Sequence, residues 1–142
     1  MQFGKGVLYM STTLTRDQQL AVEHFERKLQ FEIGPIGVKR AADAGEKLQI
    51  IDLRTPELFA KGHVPSAINL SFDELEQGAS RLDKNTPVVV YCYNITCNLA
   101  AKAALSLAKK GFPVKELVGG YEEYAKADLP VEKSSGSRCS CG

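Results

Sequence analysis

The sequence has no long apolar run, no marked excess of charge of either sign, and no cysteine before position 92. None of its apolar stretches approaches the roughly 18 residues that a membrane span requires. Val7-Leu8-Tyr9-Met10 is too short for the core of a signal peptide. Eighteen basic residues against 17 acidic ones leave a net charge of +1, whereas nonspecific nucleic-acid binding needs a clear basic excess. We therefore expect a cytoplasmic protein that binds neither a membrane nor a nucleic acid.

Three common cofactor motifs are absent as well. The chain contains no G-x-G-x-x-G, no P-loop and no H-E-x-x-H. These motifs hold dinucleotides, nucleoside triphosphates and catalytic zinc, respectively. The sequence therefore gives no support to these three chemistries.

The pattern of the chain favours a single α/β domain. Its 142 residues, 44% of them apolar, suit one core. Short β-branched runs alternate with segments of helical periodicity, which indicates βαβ units and a mostly parallel sheet. The run 88–92 is apolar almost throughout, as in a central strand covered on both faces. Strands are predicted over 48–53, 67–70, 88–92 and 114–118, and helices over 15–31, 36–43, 55–62, 71–78, 98–110 and 121–127.

Two helix starts have recognisable capping residues. Thr15 with Gln18 three residues later resembles a capping box. Asn98 precedes the strongest helical pattern and is predicted as its N-cap.

The four cysteines form two tight pairs, Cys92 with Cys97 and Cys139 with Cys141. A disulfide scaffold would instead join distant parts of a small secreted chain. Cytosolic thiols with catalytic, redox or metal-binding roles fit the spacing better. The second pair lies in a small, polar segment that we predict to be a flexible tail, where it could relay sulfur, form a mixed disulfide, bind a soft metal or do none of these.

Cys92 occupies a position that favours a nucleophile. It ends a predicted strand, and ligand sites of open α/β sheets lie at the carboxyl ends of strands. The helix that begins after Asn98 has unpaired amides at its start, which favour an anion. We therefore expect the pKa of Cys92 to be lowered towards neutrality, although a cysteine at a strand end can also be a small core residue.

Several segments of the chain resemble, in order and spacing, the signatures of the rhodanese domain. The match spans about residues 35 to 130, and several motifs in register are more specific than any one of them. The segments are Ile51-Asp52-Leu53-Arg54-Thr55-Pro56-Glu57-Leu58-Phe59, Gly62-His63-Val64-Pro65-Ser66-Ala67-Ile68-Asn69-Leu70, Val89-Val90-Tyr91-Cys92, and Gly111-Phe112-Pro113-Val114 with Leu117-Val118-Gly119-Gly120.

The resemblance implies a three-layer α/β fold, with a central, mostly parallel sheet flanked by helices, to which this chain adds an N-terminal helix. It also implies a sulfurtransferase without cofactor or metal, in which Cys92 accepts a sulfane sulfur as a persulfide from a small donor or a persulfidated protein. The sulfur then passes to a thiol or other nucleophile. The anionic persulfide would lie in a loop of backbone amides formed by Tyr93, Asn94, Ile95, Thr96, Cys97 and Asn98.

The loop departs from the family's usual pattern at two positions. Ile95 stands where a glycine is common, and Cys97 stands where a basic residue is common. Cys97-Asn98 is similar to a subgroup with a second cysteine there. Without a basic side chain the loop argues against efficient use of thiosulfate and against the phosphatase activity of related domains. The alternative to an enzyme is a catalytically weak binding or redox-sensing module that uses a Cys92–Cys97 disulfide.

Three further assignments complete the sequence-based prediction. Cys97 is a resolving thiol, a sulfur relay or a small filler at the helix start. Asp52 and Arg54 are predicted as an ion pair that supports the end of the sheet. The predicted divisions are an N-terminal helical extension over 1–34, a rhodanese-like domain over 35–131 and a cysteine-containing tail over 132–142.

Overall fold

The computed structural model describes residues 13–134 and divides the chain into two units, one up to Phe31 and one from Glu32 onward. The first unit contains helix α1 (Arg16–Phe31). Its predicted capping box is confirmed, because the Gln18 amide donates to the Thr15 hydroxyl and the Thr15 amide donates to the Gln18 side chain, over 3.1 and 3.0 Å. The segment Val7–Met10 and the tail cysteines Cys139 and Cys141 lie outside the described residues.

The second unit is built on a five-stranded sheet in which every pairing is parallel. The strand order is β1-β5-β4-β2-β3, with β4 in the centre. This confirms the predicted α/β fold with a mostly parallel sheet and an additional N-terminal helix. The strands are β1 (Glu32–Ile33), β2 (Gln49–Asp52), β3 (Ile68–Asn69), β4 (Val88–Tyr91) and β5 (Val114–Leu117).

Helices pack on the sheet and enclose two apolar clusters. Successive side chains of β4 belong alternately to one cluster and to the other. Val88 and Val90 belong to one cluster, with Leu107 of the long helix α5, whereas Val89 and Tyr91 belong to the other. Because β4 is covered on both faces, all four of its residues are buried. The helices are α2 (Pro35–Asp43), α3 (Pro56–Lys61), α4 (Phe72–Gly78), α5 (Leu99–Lys109) and α6 (Gly120–Lys126), with a 3₁₀ turn over Ala79–Arg81.

Two differences from the sequence prediction have simple physical reasons. Strand β1 was not predicted, because two residues carry no periodicity; it exists because Glu32 and Ile33 pair with the edge of β5. Strand β4 ends at Tyr91, one residue earlier than predicted. Cys92 leaves the strand because its carbonyl accepts a hydrogen bond from the Tyr121 amide of α6. Within residues 13–134, no helix is both long and apolar enough to cross a bilayer.

A buried ion pair holds the carboxyl end of β2. The Asp52 carboxylate accepts hydrogen bonds from the Arg54 guanidinium (2.7 Å to Nη2), the Arg54 amide (2.8 Å) and the Tyr91 hydroxyl. Arg54 Nη2 also donates to the Gly62 carbonyl over 2.6 Å. Burial lowers the pKa of Arg54, but the hydrogen bond and charge of Asp52 outweigh it and raise that pKa. The predicted pair is therefore present as a buried, hydrogen-bonded salt bridge.

Arg54→Met should destabilise the fold strongly, because it leaves the buried Asp52 carboxylate without its counter-ion. We expect the free energy of unfolding in urea to fall by about 3–5 kcal/mol. The control is Lys39→Met, which removes the partly exposed Lys39–Asp43 pair (2.7 Å) and should cost less than about 1 kcal/mol. Equal losses in the two variants would show that the Asp52–Arg54 pair contributes no more than a surface pair.

Candidate active site

The predicted site loop connects the centre of the sheet to the longest helix of the second unit. Cys92 follows β4 directly, and Leu99 begins α5. Because β4 is the central strand, the loop lies at the middle of the sheet's carboxyl edge. This is the position in which open α/β sheets bind ligands.

The Asn94 side chain shapes the loop from within. Asn94 Oδ1 accepts hydrogen bonds from the Thr96 amide (3.1 Å) and the Thr96 hydroxyl (2.8 Å), and the Asn94 carbonyl accepts from the Cys97 amide (3.1 Å). These bonds turn the chain back towards Cys92 without a glycine. The amides of Thr96 and Cys97 therefore both donate their hydrogen bonds to Asn94. Ile95, at 76% exposure, stands outside the turn.

The turn brings two thiols together. Cys97 Sγ lies 2.8 Å from Cys92 Sγ, and the two groups share a hydrogen bond. Cys92 is only 6% exposed and belongs to the apolar cluster that contains Val90, whereas Cys97 is partly buried. Neither sulfur is in a disulfide with another described residue. The loop thus holds an inner thiol and an outer thiol in contact.

The inner thiol is the harder one to ionise. Burial raises the pKa of Cys92 to about 12, and the hydrogen bond and charge of Cys97 add to the effect. The Tyr93 amide lowers this pKa, but by less. The expectation of a lowered pKa at Cys92 is therefore wrong. The reason is that the core covers the strand end closely and that the Cys97 thiol makes Cys92 harder to ionise.

The outer thiol is the easier one to ionise. Burial acts to raise the pKa of Cys97, but hydrogen bonds from the Cys92 thiol and from the amides of Leu99 and Tyr93 outweigh it, so the pKa is lowered. Cys97 donates to Cys92 in the doubly protonated pair, and the direction reverses after Cys97 ionises. The helix start predicted to stabilise Cys92 therefore stabilises Cys97.

Asn98 has a smaller part at this helix start than predicted. It occupies the N-cap position of α5, and its carbonyl accepts from the Lys102 amide over 3.1 Å. Its side chain makes no capping hydrogen bond within the described part of the chain. The Leu99 amide instead faces the Cys97 sulfur.

A pair of glycines fixes the loop from the neighbouring strand. Gly119 and Gly120 join β5 to α6, and both have positive φ. The next two amides, of Tyr121 and Glu122, donate to the carbonyls of Cys92 and Tyr93 over 3.0 Å each. The site residues predicted from the sequence do not include these glycines. Their position between a strand and a helix was the signal for a tight approach of two backbones.

The Asp52–Arg54 pair is linked to the loop by Tyr121, which contacts both. The Arg54 guanidinium lies over the Tyr121 ring, 4.0 Å from its centroid. The Tyr121 amide is the donor to the Cys92 carbonyl. The charge of Asp52 also makes a small contribution to the raised pKa of Cys92. Asp52 and Arg54 therefore support the loop and act on the thiols only indirectly.

Alkylation should distinguish the two thiols. At neutral pH, iodoacetamide is expected to modify Cys97 before Cys92, because thiolates react and Cys97 ionises first. In Cys97→Ser, the hydrogen bond and charge that raise the pKa of Cys92 are lost, so that pKa should fall while burial keeps it above the ordinary value. The pH dependence of the alkylation rate, followed by peptide mapping in a Cys139→Ser/Cys141→Ser background, measures both effects. Modification of Cys92 first would contradict the order given by the geometry.

Gly120→Ala should loosen the site as well as the fold. Gly120 has φ +66°, and a Cβ there would lie 2.9 Å from the Tyr93 carbonyl atoms and 3.0 Å from the Asn94 nitrogen. We expect a loss of more than about 1 kcal/mol of stability together with a raised pKa of Cys97, read from the alkylation profile. Gly45→Ala is the matched control, because Gly45 also has positive φ (+77°) but no neighbour within 4 Å. The same Cys97 profile in both variants would exclude a positioning role for Gly120.

Known proteins share both the sequence pattern and the fold. The sequence profile of the Rhodanese-like domain matches residues 37–127. The HTH-type transcriptional regulator Rv0324 of Mycobacterium tuberculosis is 33% identical over 96 residues, which cover 68% of this chain and 42% of that protein. The chain therefore spans less than half the length of this relative.

Solved structures agree with the sequence comparison. The BH2092 protein of Bacillus halodurans superposes with a TM-score of 0.76 at 33% identity, over 82% of this chain and 87% of that chain. A rhodanese-like domain protein of Staphylococcus aureus superposes with a TM-score of 0.65 over 74% of this chain and 99% of its own; at 24% identity it supports the fold alone. With its parallel sheet, its strand-end cysteine loop and the matching profile over residues 37–127, the chain belongs to the rhodanese-like domain family.

Proposed function

We propose that this protein is a sulfurtransferase that carries a sulfane sulfur as a persulfide on Cys92 and passes it to a thiol or another nucleophilic acceptor. The observation that carries the proposal is the contact of 2.8 Å between the Cys92 thiol and the Cys97 sulfur. Membership of the rhodanese-like family supports it, because sulfurtransferases are common in that family.

The thiol pair supplies the proton transfer that the reaction needs. Cys97 has the lowered pKa of the two thiols, and as a thiolate its sulfur lies within hydrogen-bonding distance of the Cys92 thiol. As Cys92 Sγ bonds to the terminal sulfur of a donor persulfide, its proton moves to Cys97. The donor's S–S bond breaks, and the donor leaves as a thiolate. The neutral Cys97 thiol then donates a hydrogen bond to the persulfide on Cys92. Cys97 thus acts as the general base.

The loop favours a monoanionic donor over thiosulfate. None of the residues from Tyr93 to Asn98 has a basic side chain. A dianion such as thiosulfate therefore meets amides and one thiolate instead of a guanidinium fork. The persulfide of a small thiol or of a protein carries less charge to desolvate. These are the donor classes that we propose, with a thiol as the acceptor.

Intact mass spectrometry tests the persulfide directly. Cys97→Ser in the Cys139→Ser/Cys141→Ser background is incubated with a low-molecular-weight persulfide at mildly alkaline pH and separated from the donor. We expect a gain of one sulfur atom, which a thiol acceptor removes. Adding Cys92→Ser should abolish the gain, because a serine hydroxyl cannot accept the sulfur as a persulfide. If neither Cys97→Ser nor the Cys139→Ser/Cys141→Ser protein acquires sulfur on Cys92, or if Cys97→Ser gains sulfur independently of Cys92, the proposed function is wrong.

A second candidate function uses the same two sulfurs. Their contact also suits a redox-sensing module in which an oxidant closes a Cys92–Cys97 disulfide. The two candidates differ in one measurement. A redox module loses two hydrogens under mild oxidation, and its Cys97→Ser variant never retains a sulfane sulfur.

A further inference from the structure

We infer that Cys97 ends the persulfide state from within the site: it attacks Cys92 Sγ, expels the outer sulfur as hydrosulfide, and leaves a Cys92–Cys97 disulfide. The inference rests on the proposed function, because it requires a persulfide on Cys92. It assigns the protein a product, hydrosulfide, and a co-substrate class, a dithiol reductant.

The geometry places the attacking sulfur almost at bonding distance. The sulfurs are 2.8 Å apart, so a disulfide needs an approach of only about 0.8 Å. The Cys97 amide is held by the Asn94 carbonyl, and the Thr96 amide by the Asn94 side chain. The turn that presents Cys97 to Cys92 therefore exists before the reaction, which removes most of the entropy cost of bringing the groups together.

The step balances without an external oxidant. Cys97 returns to the thiolate by giving its proton to the outer sulfur of the persulfide. The Cys97 sulfur then forms a bond to Cys92 Sγ, and the bond between Cys92 Sγ and the outer sulfur breaks, with its electron pair leaving on hydrosulfide. The sulfane sulfur is reduced to sulfide, and the two cysteine sulfurs are oxidised to a disulfide. Hydrosulfide is the weaker base of the two candidate leaving groups, which favours this direction.

Burial favours the internal reaction over transfer to external acceptors that cannot enter the loop. Cys92 is 6% exposed, so an acceptor must enter the loop to reach its persulfide, whereas Cys97 is already in contact with the inner sulfur. The amides of Leu99 and Tyr93 keep Cys97 available as a thiolate once its proton has left. A further turnover then requires reduction of the disulfide by a dithiol, with return of both thiols.

Two measurements test the inference: the amount of sulfide released and the intact mass of the protein. The Cys139→Ser/Cys141→Ser protein, which keeps both loop thiols, is given the same low-molecular-weight persulfide without reductant and then freed of excess donor. We expect one hydrosulfide per chain and a mass two hydrogens lower, with a Cys92–Cys97 disulfide in peptide maps. In a separate assay with the donor kept in excess, dithiothreitol should make the release catalytic in protein, above the release in a control without protein. Cys97→Ser should retain the added sulfur and lower spontaneous release by about tenfold or more.

The outcomes separate the two proposals. If the protein with both loop thiols keeps the added sulfur as stably as Cys97→Ser does, or releases sulfide without forming the disulfide, the internal attack is refuted while the proposed function stands. If neither protein acquires sulfur on Cys92, the proposed function and this inference fall together.

Discussion

The buried charge of Asp52 is the constraint on which the rest of the structure depends. A carboxylate without solvent must have all its hydrogen bonds satisfied, and here Arg54 and Tyr91 satisfy it from two neighbouring elements. The same guanidinium lies over Tyr121, whose amide holds the carbonyl of Cys92. One ion pair thus connects the end of β2, the end of β4 and the start of α6. That connection supports the thiol loop, whose own turn is made by the hydrogen bonds of Asn94.

The sheet could be predicted from the sequence because burial on both faces leaves a strong trace. The run of valines in β4 predicts a central strand, and the apolar periodicity of α5 predicts a helix that packs on it. Elements of two residues leave no such trace. Strand β1 exists only because β5 offers it an edge, and the end of β4 is set by a hydrogen bond from α6. Both are tertiary effects.

The sequence predicts which residues form the site loop, but not which of its two thiols ionises first. The boundaries of β4 and α5 place Cys92 and Cys97 in one short loop, and this much follows from the sequence. Which sulfur ionises depends on fractions of an ångström: on how closely the core covers Cys92 and on which sulfur meets the Leu99 amide. Composition and periodicity carry no information at that scale. The pair Gly119–Gly120 was visible in the sequence, but its role depends on a backbone from another part of the chain.

The absence of basic side chains from Tyr93 to Asn98 also affects how a donor of the proposed reaction would reach the loop. A site lined by cations draws anions from a distance, and the gain in encounter rate disappears as salt screens the field. Here the chain has a net charge of +1 and its loop offers only backbone dipoles, which act at short range. Encounter with a donor is therefore governed by diffusion and fit. We therefore expect the rate of the proposed sulfur transfer to depend only weakly on ionic strength.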